Sequence, residues 1–317
     1  METSSSAHSL NGASGIDIKS PQDSPENHHV SKGGEAWEDL SKVTFENGNV
    51  YEGALADYLP HGAGTMHYSG EDEATYCGSW VYGRRQGLGL LTWPDGTYFE
   101  GQFVDDEPNG TGMKQYSDGS VYEGAWRDGK KDGFGTEMRA DGENYGGEWR
   151  RGFFHGRGCL KYPDGSSYDG EWREDERHGY GTFTFKTNDV YEGEWESDLM
   201  GGQGIYTFVD GSRYEGSWKY NKRNGFGVFT QPHGITYKGT WKKDMFNGYG
   251  VLTQSLSAYE GSWRDGKREG YGILVDVKRG TYEGEWVDDS KNGQGIINYE
   301  DGEMCEVRWI VEEGLGG

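Results

Sequence analysis

Histidines, carboxylates, cysteines and closely spaced glycines are the groups in this chain that could do chemistry. His61, His155 and His178 each stand directly before the first glycine of a Gly-x-Gly. Imidazoles in one recurring slot would suit a zinc ladder, since a structural zinc takes four nitrogen or sulfur ligands. Only His155 and His178 fall in adjacent repeats, however, and Asp132, Asn224, Asn247 or Asn292 fills the same slot elsewhere. That is the pattern of a polar turn residue, and no metal is expected. Glu192 and Glu215 each follow a recurring tyrosine. A general acid or base is one positioned group with a tuned pKa, so a carboxylate that returns in most repeats belongs to a solvated face. The Gly-x-Gly pairs resemble a phosphate loop only superficially, because no helix N-terminus follows to hold an anion. Cys77, Cys159 and Cys305 are odd in number and far apart. They imply neither a disulfide framework nor a Cys-x-x-Cys metal site, and they suit a reducing cytoplasm. The expectation is a chain without catalytic machinery or cofactor.

The elements that carry these residues are repeats. Tyr-x-Gly-x-Trp recurs as Tyr76-Cys-Gly-Ser-Trp80, Tyr122-Glu-Gly-Ala-Trp126, Tyr145-Gly-Gly-Glu-Trp149 and Tyr168-Asp-Gly-Glu-Trp172. It continues as Tyr191-Glu-Gly-Glu-Trp195, Tyr214-Glu-Gly-Ser-Trp218, Tyr237-Lys-Gly-Thr-Trp241, Tyr259-Glu-Gly-Ser-Trp263 and Tyr282-Glu-Gly-Glu-Trp286. Tyr51–Leu55 and Phe99–Phe103 are variants, and Cys305–Trp309 is degenerate and reads as a C-terminal cap. Eleven residues after each of the first eleven opening positions comes a Gly-x-Gly, from Gly62/Gly64 to Gly293/Gly295. The unit is 23 residues long, except for 25 in the first and 22 in the ninth. Such a register marks a repeat architecture in which each unit packs on its neighbours.

Each unit reads as two strands. The first is built on Tyr-x-Gly-x-Trp and the second opens at Gly-x-Gly. Asp-Gly pairs such as Asp118-Gly119, Asp164-Gly165 and Asp210-Gly211 supply the positive φ angles of tight hairpin turns at the far ends. The pattern therefore predicts an all-β fold, an elongated single-layer antiparallel sheet of tandem hairpins over residues 41–317. Residues 1–40 are polar, contain Pro21 and Pro25, show no period and read as a disordered tail, with Trp37 and Leu40 available to cap the first repeat. Strand side chains alternate, so each Tyr, Gly and Trp share one face. The glycines leave space there, expected to receive the neighbouring repeat's rings. Glu137 and Arg139 interrupt the apolar run on the second strand.

One sheet cannot cover its own face, and an exposed aromatic patch marks an interaction site. The stacked tyrosines and tryptophans read mainly as core, with part of that surface left exposed, and Tyr168, Trp172, Tyr191, Trp195, Tyr214, Trp218, Tyr237 and Trp241 are accordingly candidates for a partner-binding groove. The residue between the paired glycines points to the other face. Phe134, Tyr180, Phe226, Tyr249 and Tyr271 form an alternative strip there.

Composition agrees with local stabilisation rather than a central core. Only 32% of the residues are hydrophobic, while 56 are glycine and 15% aromatic. The formal charge of −23 disfavours nucleic acid and anionic membranes unless cations cluster on one surface. The short basic clusters, among them Lys222-Arg223 and Lys242-Lys243, read as solvated turns. No apolar stretch approaches the ~18 residues of a membrane helix.

The Tyr-x-Gly-x-Trp and Gly-x-Gly pattern over residues 51–309 resembles the MORN repeat. The resemblance implies an elongated antiparallel sheet and a scaffold that binds other proteins. Its expected partners are cytoskeletal or axonemal subunits, as in the radial spokes of cilia and flagella, and the expected location is the cytoplasmic cytoskeleton. Homodimerisation is left open. Family members also serve as membrane-lipid adaptors or as regulatory arrays of lipid kinases and methyltransferases, and these are the alternatives.

Overall fold

The computed structural model describes residues 41–70 and 73–309. They form twenty-four strands in one antiparallel sheet, where each strand pairs with those before and after it in the chain. The first strand, Ser41–Thr44, pairs with Val50–Ala56, and the last, Met304–Trp309, pairs with Ser290–Asn298. The sheet is thus an open meander in a single layer, as the sequence pattern predicts. Trp37, Leu40, the tail over 1–40 and the residues after Trp309 lie outside the described residues.

The repeat opening at Tyr191 shows the local logic. Val190–Glu196 returns as Leu199–Thr207 through Ser197 and Asp198, whose φ angles are 46° and 66°. Two positive φ values make a type I′ turn, whose twist matches that of paired strands. Asp105-Asp106, Glu174-Asp175, Tyr220-Asn221 and Asp288-Asp289 do the same. This corrects the sequence reading, which placed the paired positive φ angles at the Asp-Gly ends. There only the glycine is left-handed, as at Gly211 with φ 84°. The Gly211 N–H donates to the Phe208 carbonyl at 2.9 Å, and the Phe208 N–H donates to the Ser212 carbonyl at 2.8 Å. This is a three-residue loop closed by a glycine bulge. Asp210 contributes its carboxylate, which accepts the Ser212 N–H at 2.8 Å, and not its backbone.

Register places the glycines in line. Gly181 pairs with Gly193, Gly193 with Gly204 and Gly204 with Gly216. The line continues across the sheet from Gly53 to Gly295, where Val307 ends it. The Gly-x-Gly therefore lies within the return strand and does not open it. Its first glycine is a bulge: the register jumps between Gly193/Gly204 and Glu194/Gly201, and Gly202 takes φ 51°. The bulge frees one N–H, on Gln203, which donates to the Glu194 carboxylate at 2.8 Å. Glu148 and Glu171 accept the same bond from Arg157 and Tyr180.

Over the glycine line lie the tyrosines. A Cβ on Gly193 or Gly204 would meet the Tyr191 hydroxyl at 2.6 or 2.5 Å, so the glycines make room for the unit's own ring and not the neighbour's. The hydroxyl donates to the Glu194 carbonyl at 3.0 Å. The unit's own tryptophan and that of the next repeat meet the ring edge-on. Tyr191 meets Trp195 at 5.2 Å and Trp218 at 5.3 Å, near perpendicular in both cases. Perpendicular rings at this separation set a positive edge against a negative face. The Trp218 indole N–H donates back to the Gly204 carbonyl at 3.2 Å, which ties each repeat to the one before. The ladder runs from Tyr51–Trp80 to Tyr282–Trp309.

Candidate interaction surface

The sheet presents two faces. On the face of the tyrosine–tryptophan ladder, all eight predicted groove residues are buried. Tyr168, Tyr191, Tyr214 and Tyr237 have no exposed surface, and Trp172, Trp195, Trp218 and Trp241 have almost none. They are the core, because the return strand of each repeat lays a further side chain across them. That slot, the second residue of the return strand, holds Phe154, Arg177, Met200, Arg223, Phe246 and Arg268 in successive repeats. Phe154 and Phe246 stack on Tyr145 and Tyr237 at 3.7 Å. The Arg223 guanidinium sits 4.2 Å from the centre of Trp241, and that of Arg268 sits 4.1 Å from the centre of Trp286, as cation–π lids. Asp244 and Asp289, each from the following repeat's turn, pair with these arginines at 3.3 and 3.0 Å. Sequence reasoning missed this slot, although an Arg followed by Asp twenty-one residues on, as in Arg177/Asp198 and Arg223/Asp244, was its signal.

What the ladder face shows to solvent is a half-buried second row. Tyr162, Phe183, Phe185, Tyr206, Phe208 and Phe229 touch in sequence at centroid distances of 4.6 to 6.2 Å. Burial and the Asp189 carboxylate push the Tyr206 phenol up to about 12, so it donates to Asp189 at neutral pH, at 3.2 Å. Further towards the N-terminus, a recess of about 600 Å³ is lined by Tyr68, Arg85, Trp93, Lys114 and Trp126. Between the two regions the row is broken by Glu137, which is buried and paired with Lys131 and Arg139. Burial holds the Lys131 ammonium below its ordinary pKa, against the upward pull of Glu137.

The opposite face carries the alternative strip, and here the rings are free. Phe134 is 73% exposed and Tyr271 57%, with Tyr180, Phe226 and Tyr249 similar. Glu192 and Glu215 are exposed on this face, as expected. The Tyr180 hydroxyl donates to Glu192 at 3.0 Å. Tyr249 donates to Glu260 and Tyr271 to Glu283, and these bonds raise both phenol pKa values. Val228, Val251 and Ile273 lie half-exposed beside the rings.

The histidine slot caps turns. The His61 ring meets Tyr82 of the next turn at 4.9 Å, and Asp132 in the same slot accepts the Arg151 N–H at 3.2 Å. Among the described residues, no group of three or more His, Cys, Asp and Glu is arranged to hold a metal.

Comparison with solved structures finds remote likenesses. The SAS-4 TCP domain of Drosophila melanogaster, solved with a proline-rich motif of Ana2, is 12% identical with TM-score 0.30, covering 66% of this chain and 96% of that one. A point variant of the TCP10 domain of Danio rerio CPAP is 13% identical with TM-score 0.27, covering 79% and 99%. Virginiamycin B lyase from Staphylococcus aureus is 9% identical with TM-score 0.15, covering 86% and 89%. No curated protein matches. The MORN repeat model matches eleven successive segments, from residues 51–72 and 76–98 through 259–281 and 282–304. These are the same hairpins whose tyrosines, glycines and tryptophans build the ladder, and the chain belongs to the MORN-repeat family.

Proposed function

We propose that the chain is a non-catalytic scaffold that binds other proteins along its outer aromatic strip, as a structural component of a cytoskeletal assembly such as a ciliary or flagellar axoneme. The observation that carries the reading is the division of aromatics between the faces. Tyrosines and tryptophans of the ladder are buried, while Phe134, Tyr180, Phe226, Tyr249 and Tyr271 stand exposed on a regular sheet. Exposed aromatic side chains on a rigid support are typical binding anchors. The axonemal placement, and with it the cytoplasmic cytoskeleton as the proposed location, draws on the resemblance of an almost pure, acidic MORN array to spoke-head members of the family.

The test is proximity labelling with the tagged full chain in ciliated and nonciliated cells, beside a Phe226→Ser/Tyr249→Ser/Tyr271→Ser variant. Axonemal proteins should be labelled by the native chain in ciliated cells and lost with the variant, whose melting should be unchanged. A labelled set that the three substitutions leave intact would refute the strip. A set without cytoskeletal proteins would refute the placement.

A further inference from the structure

Cations collect along one margin of the outer face, beside the type I′ turns of three consecutive repeats. Lys219, Lys222, Lys242, Lys243, Arg264 and Lys267 are all exposed there. The sheet separates them from their sequence neighbours: Arg223 and Arg268 turn to the ladder face and pair with Asp244 and Asp289. Lys219 stands directly opposite Lys222, and Arg264 opposite Lys267. Like charges in that relation are destabilising. Arg264 pairs with Glu269 and Lys267 with Asp288. Lys219, Lys222, Lys242 and Lys243 have no ion-pair partner among the described residues. The nearby carboxylates of the aromatic band are already engaged, Glu215 by Arg213, Glu260 by Tyr249 and Glu283 by Tyr271. In a chain of net charge −23, this stretch of the face leaves four lysines without an ion pair, Lys219 resting over the Tyr220 ring at 5.4 Å.

Resting on the reading of the outer strip as a docking surface, we infer that the face over residues 214–275 binds an acidic amphipathic α-helix of another protein, laid across the strands. Two strands per repeat set Phe226, Tyr249 and Tyr271 about 9.6 Å apart, close to the ~10.5 Å of one heptad of helix. An apolar stripe then covers the rings and the adjacent Val228, Val251 and Ile273. The basic row lies two residues along the strand, about 6.8 Å away, within reach of glutamates on the helix flank. A three-heptad helix of about 30 Å spans these three repeats. A flat anionic membrane would also meet Glu174, Glu176 and Glu196 on the same margin, all exposed, which is why a helix is the occupant.

The experiment titrates the full chain with a synthetic three-heptad helix bearing leucines on one stripe and glutamates on both flanks. Controls are the same helix with lysine for glutamate, and vesicles of phosphatidylcholine and phosphatidylserine in about equal parts. Native protein should bind the acidic helix at least about tenfold more tightly than the lysine helix, and less tightly as salt rises. A Lys219→Glu/Lys222→Glu/Lys242→Glu/Lys243→Glu variant with unchanged circular dichroism should lose about tenfold. Equal affinity for both helices, no binding, indifference to salt, or capture of vesicles but not peptide overturns the inference. If the variant misfolds, the two peptides and the salt series decide. Should the three aromatic-to-serine substitutions abolish binding while charge reversal does not, the strip stands and the acidic partner fails. The converse result keeps the acidic partner and removes the strip.

Discussion

The Tyr191 phenol occupies the space that side chains on Gly193 and Gly204 would need. Its ring is therefore held by what the opposing residues lack, and Gly204→Ala forces a methyl against an aromatic with no room to move. Overpacking of this kind costs about 1–3 kcal/mol, and the upper end is expected because Trp195 and Trp218 brace the ring on both sides. Tyr191→Phe removes only the hydroxyl's bonds, to the Glu194 carbonyl at 3.0 Å and to the Gly201 carbonyl at 3.3 Å, and should cost about 1 kcal/mol. Phe99 already occupies the equivalent slot over Gly101 and Gly112. Equilibrium denaturation of both variants checks the order, and a Gly204→Ala protein as stable as Tyr191→Phe would refute it. The same glycines explain why the groove residues were misplaced from sequence. Alternation correctly put Tyr, Gly and Trp on one face. It could not show that each ring folds down onto its own strand pair and is then covered from the return strand.

The hairpin is the scale at which natural repeats act as controls for one another. In the repeat opening at Tyr122, Lys131 and Glu137 hold the slots that Phe154 and Leu160 hold in the next. Lys131 lies 4.5 Å from the centre of the Trp149 ring and pairs with Glu137, both largely buried. Breaking a buried pair on one side leaves an uncompensated charge and costs about 3–5 kcal/mol, whereas replacing both with packed apolar groups is often neutral. Glu137→Gln should therefore lower stability by roughly 3 kcal/mol. Lys131→Phe/Glu137→Leu should restore it, with less dependence on salt in urea denaturation, and a double variant as unstable as the single one would contradict this. Hairpin count, pairing and repeat boundaries were legible because an invariant offset of eleven residues leaves one register. Turn geometry was not. Asp-Gly announces positive φ, but most of the I′ turns fell to other pairs, such as Ser197-Asp198 and Glu174-Asp175, in which an aspartate takes the left-handed second position expected of glycine. The basic margin was hidden for a related reason: adjacent lysines and arginines such as Lys222-Arg223 separate onto opposite faces once the strand is drawn.

Across the whole sheet the buried phenols form one titrating system. Burial pushes Tyr76 and Tyr259 up to about 12 and Tyr122, Tyr145, Tyr168, Tyr191, Tyr214 and Tyr237 higher still. In the unfolded chain a phenol titrates near ~10. Below that pH both states hold the proton and stability does not depend on these groups. Above it the unfolded chain releases protons that the folded sheet retains, so stability falls by about 1.4 kcal/mol per phenol for each pH unit. Eight such groups outweigh the whole stability of an ordinary domain within about one to two units. Because each ring braces the aromatic partners of two repeats, two tryptophans in most cases and Trp80 with Phe103 at Tyr76, ionising one exposes its neighbours and the loss should be cooperative. Circular dichroism and phenolate absorbance followed together should show the sheet intact to about pH 10 and lost in one step before about pH 12, with the ladder phenolates appearing at that step. Phenolate absorbance that reached completion while the sheet signal persisted would mean that the tyrosines are not the shared core from which the array is built.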